Sequence, residues 1–146
     1  EPIEIHFDRL SSEVTPEQFR AALPDVDWQC QELVTQFGDS ICAALIGGIN
    51  GNPARRIALY FGMQRLQALR ADYRAPYHER LRRQLEQQLG APRRSEASAA
   101  PTPDSTLDWR LPSGVVTIKE QIDVRNEAPA LFWISKDWIL RSSEQG

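Results

Sequence analysis

Residues 27–61 constrain the fold more than any other part of the chain. Apolar residues there recur at every second position, the period of a strand with one buried face. Ile57, Leu59 and Phe61 alternate with Arg56, Ala58 and Tyr60. Just upstream stands Asn50-Gly51, the pair that most readily takes the two positive φ angles of a tight hairpin. Residues 27–35 read as a strand with Trp28, Cys30 and Val34 inward, and residues 40–47 as a richer second strand. The turn between them falls at residues 36–39. Strands joined this closely pair antiparallel.

The two cysteines, Cys30 and Cys42, fall on these neighbouring strands. A disulfide needs Cα atoms within about 7 Å, which adjacent strands provide. The placement favours a Cys30–Cys42 bond worth roughly 3 kcal/mol. That bond implies an oxidising compartment, periplasmic or secreted. The alternative is a pair of buried free thiols in a cytoplasmic protein.

The remaining elements follow from period and punctuation. Residues 2–8 alternate, with Ile3, Ile5 and Phe7 on one side and Glu4, His6 and Asp8 on the other, so a strand is expected. Thr15, Pro16 and Gln18 form a helix start with a capping box; Phe19, Ala22 and Leu23 supply its buried stripe, and Pro24 ends it. Residues 64–73 fit a helix through Leu66, Leu69 and Tyr73, or a strand through Leu69, Ala71 and Tyr73. A hairpin at residues 62–64 would extend the sheet, so the strand is favoured. Residues 76–89 are the clearest helix: Tyr77, Leu81, Leu85 and Leu89 recur every four residues before Gly90 and Pro92.

Residues 91–106 form a Pro/Ala/Ser-rich segment expected as a mobile surface loop inside the domain. A hairpin of residues 107–111 and 115–122 and a strand at 128–135 complete the sheet. Trp138, Ile139 and Leu140 are expected to extend that strand or dock at its edge, and residues 142–146 to fray. The order is strand, helix, three or four strands, helix, three strands. This predicts one α+β domain over residues 1–146, a mainly antiparallel sheet with two helices on one face.

Composition narrows the function classes. Of 146 residues, 41% are hydrophobic and 25% charged, which suits a packed globule. A net charge of −3 disfavours nucleic acid as a partner. No apolar run approaches the roughly 20 residues of a membrane helix. The sequence starts at Glu1 rather than methionine; a removed signal peptide or a longer chain would each account for this.

Motifs for catalysis are weak. His6 and His78 are the available imidazoles, both read as surface residues, and neither accompanies a G-x-S-x-G signature. Cysteine and histidine spacings match no zinc pattern. Gly47-Gly48-Ile49-Asn50-Gly51 leads into a strand, not a helix, and reads as a turn rather than a phosphate cradle. Glu17 with Asp25 and Asp27, and Asp104 with Asp108, read as solvated turn acids. Arg80, Arg82, Arg83, Arg93 and Arg94 are interleaved with Glu79 and Glu86, as on an ordinary solvated helix face. The expectation is therefore no catalytic, metal or cofactor-binding residue, and no cofactor.

Tryptophan is the remaining signal. Trp28, Trp109, Trp133 and Trp138 fall on expected strands or their extension, where aromatics usually pack inward. Trp133 and Trp138 are five apart, so in a regular strand they face opposite sides. One of them, with Tyr60, is then exposed, and exposed aromatics on a sheet mark a partner surface. Tyr60, Trp133 and Trp138 are thus the candidate surface for another protein.

Trp28-x-Cys30, Cys42, the strand at 57–61, the helix end Leu89-Gly90-Ala91-Pro92, and Trp109 occur in that order. This layout resembles small exported α+β domains of Gram-negative bacteria, the β-lactamase-inhibitor-like and SmpA/OmlA-like type. Those domains begin with two helices where one is read here. The resemblance implies an exported, non-enzymatic domain that binds proteins, and it carries over no binding residue. Competing readings are a cytosolic acidic chaperone or adaptor, and a small enzyme without a recognisable motif.

Overall fold

The structure, a computed structural model, describes residues 2–94 and 105–145. Its elements are β1 (Pro2–Ile3), α1 (Pro16–Ala22), β2 (Gln29–Thr35), β3 (Gly38–Leu45), β4 (Gly48–Ile49), β5 (Asn52–Gly62), β6 (Arg65–Tyr73), α2 (His78–Leu89), β7 (Arg93–Arg94), β8 (Thr106–Leu111), β9 (Gly114–Lys119), β10 (Ala130–Ser135) and α3 (Lys136–Gln145). Short 3-10 turns occupy Phe7–Arg9 and Ala75–Tyr77. The class is α+β with a mostly antiparallel sheet; the one parallel pair among the described residues is β1 with β4.

Two tight turns set the register of the central hairpins. Asn50 and Gly51 turn β4 into β5 with φ of 50° and 81°, as the Asn-Gly pair demands. Met63 and Gln64 turn β5 into β6 with φ of 52° and 63°. Residues 65–73 are therefore a strand, in line with the favoured expectation.

Strand order runs β2-β3-β5-β6-β10-β9-β8-β7, with β4 and then β1 continuing from the start of β5. The chain's two halves meet where β10 pairs with β6. Register places Cys30, Cys42, Leu59, Leu69, Trp133, Val116 and Trp109 in one row across seven strands. From Cys42 onward this row is buried, as are Ile57 and Phe61 beside it. Phe19 of α1, Leu81 and Leu85 of α2, and Ile3, Ile5, Phe7 and Leu10 of the N-terminal segment pack onto it as one cluster.

Helix α1 begins as its residues predict. The Thr15 side chain accepts from Gln18 N at 3.2 Å, and the Gln18 side chain accepts from Thr15 N at 3.0 Å. Of its expected stripe only Phe19 is buried; Ala22 is exposed and Leu23 half-buried. Phe19 meets Trp28 edge-on at 6.0 Å, which ties α1 to the start of β2.

Four expectations need correction. Residues 2–8 are not one strand: pairing stops at Ile3 and Phe7 starts a 3-10 turn, although Ile3, Ile5 and Phe7 are all buried. The side chain of Asn50 takes over the pairing, accepting from Ile5 N at 2.6 Å and donating to Ile5 O at 2.9 Å. Cys30 and Val34 are not buried inward: residues 29–34 are all exposed on the edge strand, Val34 at 86%. A β-bulge between Glu32 and Thr35 breaks the alternation there.

Among the described residues there are three α-helices rather than two: residues 136–145 form α3 instead of extending the last strand or fraying, and of the two expectations for Trp138 only docking against the sheet holds, at Gln36 and Phe37. Ser135 starts that helix by accepting from Trp138 N at 3.0 Å. The expected loop at 91–106 is partly sheet: Arg93 and Arg94 pair with Asp108 and Leu107, and Thr106 begins β8. Ser105 is fully buried rather than on a surface loop, and residues 95–104 lie outside the described residues.

Candidate functional site

The sheet's second face carries an ordered set of side chains. Its side chains alternate with the core row, and the same register lines them up across the strands. Ile41, Tyr60, Ala68, Ile134 and Val115 form an apolar row over β3, β5, β6, β10 and β9. The next row holds Ala43, Ala58, Arg70, Phe132 and Thr117, and the one beyond it Leu45, Arg56, Asp72 and Ala130. The face thus grades from apolar at one end of the strands to charged at the other.

The buried residues of α1 and α2 belong to the opposite face. Val115, Tyr60, Phe132 and Ile134 remain half-buried. Fully buried Ala58 and Ala68 lie between these larger neighbours.

Tyr60 and Trp138 are brought together, and Phe37 joins them. Phe37 lies 5.1 Å from the Tyr60 ring and 5.0 Å from the Trp138 ring, tilted against both. Helix α3 carries Trp138 to this corner, where its indole N–H donates to Gln36 O at 3.1 Å. On the same helix Asp137 accepts from the Ser12 hydroxyl and Arg141 donates to Gln67.

Trp133 drops out of the candidate surface. It points into the core, is 0% exposed, and its indole nitrogen has no hydrogen-bond partner among the described residues. The opposite-sides argument separated Trp133 from Trp138 for the wrong reason: Trp138 is not in the strand.

The cysteines are joined. Cys30 and Cys42 are direct partners on β2 and β3 with Cα atoms 4.0 Å apart, and neither is free.

The histidines divide. His6 is exposed. His78, expected at the surface, is 4% exposed, because it lies on the inward stripe of α2 with Leu81 and Leu85. Its Nε2 is 3.2 Å from the carbonyl of Glu120, which accepts only, so Nε2 carries a proton. In the neutral ring Nδ1 then accepts from the Tyr73 hydroxyl at 2.7 Å. Burial, and then the carboxylates of Glu127 and Glu79, push the Tyr73 hydroxyl well above the usual phenol range, so it stays a donor. Both ring nitrogens are occupied within the fold.

Glu120 is the other end of this network. Its carboxylate accepts from Arg94 Nε at 2.6 Å and from a second guanidinium nitrogen at 2.9 Å. Hydrogen bonding to Arg94 holds the Glu120 carboxyl below the ordinary glutamate range, against the opposing effect of burial. Among the described residues no group of three or more His, Cys, Asp or Glu is placed to hold a metal ion. No described helix is long and apolar enough to cross a membrane.

Sequence reasoning missed Phe37, Ile41, Phe132 and Ile134. Their alternation was visible within each strand, but which strands neighbour one another was not. No family model, curated protein or solved structure matches the chain.

Proposed function

We propose that this chain is an exported, non-enzymatic protein-binding domain that docks a partner on the second face of its sheet, with Tyr60 and Trp138 as aromatic anchors. The observation that carries this reading is the apolar row Ile41, Tyr60, Ala68, Ile134 and Val115, on the face opposite α1 and α2. Ile41 and Ala68 are buried, and the half-buried Tyr60, Ile134 and Val115 beside them offer contact area on a rigid sheet with little side-chain entropy left to lose. The cross-strand disulfide supports export. Support for a non-enzymatic role comes from His78, whose ring nitrogens are both committed to structural bonds. The resemblance to exported binding domains points the same way.

The test is site-specific photo-crosslinking in the cells that produce the chain. A photoreactive phenylalanine replaces Tyr60 or Ile134 on the sheet face, and Glu79 or Gln87 on the outer side of α2 as controls. A discrete protein adduct from the sheet positions alone is expected. Adducts from all four positions alike, or from none, would reject the reading. Trapping free thiols during lysis checks the compartment, since blocked thiols are expected before any oxidant is added.

A further inference from the structure

We propose a second binding site, an arginine-lined cleft at the charged end of the sheet, that takes an acidic segment of a partner protein. The cleft encloses about 670 Å³ and is lined by Arg55 and Arg56 of β5, Arg70 of β6, Arg74 beyond it, and Arg125 from the turn before β10. These residues are as much as 70 positions apart, and only strand pairing collects them. Five guanidinium groups converge here in a chain whose net charge is −3.

The acidic groups nearby are already engaged. Asp72 accepts from Arg70 Nε at 2.8 Å, and Glu127 accepts from Lys119 Nζ at 2.8 Å. Asp123 accepts from Arg125 N at 3.0 Å and from the Asn126 side chain at 2.7 Å, inside its own turn. Arg70 is further held with its guanidinium 5.5 Å from the centre of the Phe132 ring. Arg55, Arg56, Arg74 and Arg125 form no ion pair among the described residues.

Unpaired like charges gathered in a concave site repel one another and concentrate positive potential until an anion enters. The planar guanidinium fork suits carboxylate oxygens. Leu45, 82% exposed, and Val124, 53% exposed, flank the arginines and give an apolar side chain somewhere to rest. A carboxylate-rich peptide with interspersed leucine fits this mixture. A flat bilayer fits a concave site poorly, and a nucleic acid would find no open ring to stack on, because Tyr73, the one aromatic residue in the lining, is buried. The inference stands apart from the aromatic row, because Tyr60 lies four residues along β5 from Arg56, roughly 13 Å at ~3.3 Å per residue.

The experiment is fluorescence anisotropy of the full chain with a labelled peptide of glutamate and leucine. The same peptide with lysine for glutamate, and phosphatidylglycerol vesicles, form the other arms. The cleft variant Arg55→Ala/Arg74→Ala/Arg125→Ala removes three exposed guanidiniums. Arg65→Ala/Arg83→Ala/Arg110→Ala removes three exposed ones elsewhere. Both lower the charge equally, and circular dichroism with thermal melts verifies that both fold.

Saturable, salt-sensitive binding of the acidic peptide is expected, weakened about tenfold in the cleft variant and unchanged in the other. Equal weakening in both variants, or no saturable binding by the unaltered chain, overturns the proposal. So does capture of the vesicles through the cleft arginines while the peptide stays free.

Discussion

The hydroxyl of Tyr73 lies 2.7 Å from Nδ1 of His78, and the two rings stack within 12° of parallel, their centres 6.0 Å apart. This contact joins the end of β6 to the first turn of α2, and the Glu120 carbonyl at Nε2 adds the segment after β9. Three parts of the chain thus share one buried imidazole.

Removing the hydroxyl should expose the strength of that junction. Tyr73→Phe leaves Nδ1 buried without a donor, which costs about 1–3 kcal/mol in urea unfolding. The raised Tyr73 ionisation also shapes the alkaline limb. The unfolded phenol ionises near pH ~10, whereas the folded one resists. Its contribution is therefore intact below about pH 10 and lost as pH rises further. Unfolding curves between neutral and strongly alkaline pH should be steeper in pH for the parent chain than for Tyr73→Phe.

Glu120 shapes the acid limb with the opposite sign. Its folded carboxyl ionises below the unfolded value of about 4.3, chiefly through the Arg94 hydrogen bonds. The pair is fully stabilising above that value and loses its effect as pH falls through the folded one. Glu120→Gln should be less stable near neutrality and less sensitive to acid. Melting temperature followed from pH 7 downward reads both effects, and parallel curves for the two proteins would contradict the assignment.

Reducing the disulfide should cost about 3 kcal/mol, given the 12-residue separation of Cys30 and Cys42. Denaturation midpoints with and without reductant measure this. The Cys30→Ala/Cys42→Ala variant separates the covalent tie from reductant effects, and its midpoint should match that of the reduced parent.

Gly114 is required by Trp133. A Cβ added at Gly114 would stand 2.5 Å from Ile134 O and 2.7 Å from the Trp133 indole nitrogen. Gly114→Ala should destabilise by roughly 1–3 kcal/mol through overpacking. Trp133→Ala should cost roughly 3–5 kcal/mol, because that ring is fully buried. Calorimetry on the two variants checks the order, and a neutral Gly114→Ala would show that the β9–β10 contact is looser than described.

Legibility followed the range of the signal. Local chemistry was readable: the Thr15 cap, the Asn50-Gly51 turn, the Leu81–Leu85 stripe and the alternation at Ile57, Leu59 and Phe61 each depend on residues a few positions apart. The Cys30–Cys42 pairing was readable because one short turn joins its strands. Helix α3 was not, because Ser135 ends β10 and caps α3 at once, and a strand ending directly in a helix leaves no loop between them. The residues around Trp138 therefore read as a strand extension or an edge contact, not as a helix. Still less visible was the approach of Arg56, Arg74 and Arg125, which depends on β10 coming back beside β6. The interior place of His78 was hidden because Tyr77, one position earlier, fits the four-residue spacing equally well.

The bulge at Glu32–Thr35 bears on how this molecule behaves in crowded solution. Strand β2 ends the sheet, so its outward N–H and C=O groups have no strand beside them among the described residues. A straight strand there would be a ready template for stacking one molecule onto the next. The bulge twists Leu33 and Val34 out of line and shortens any stretch on which a neighbour could zip up. The irregularity thus leaves only residues 29–32 of this margin in regular register for a neighbouring strand to extend.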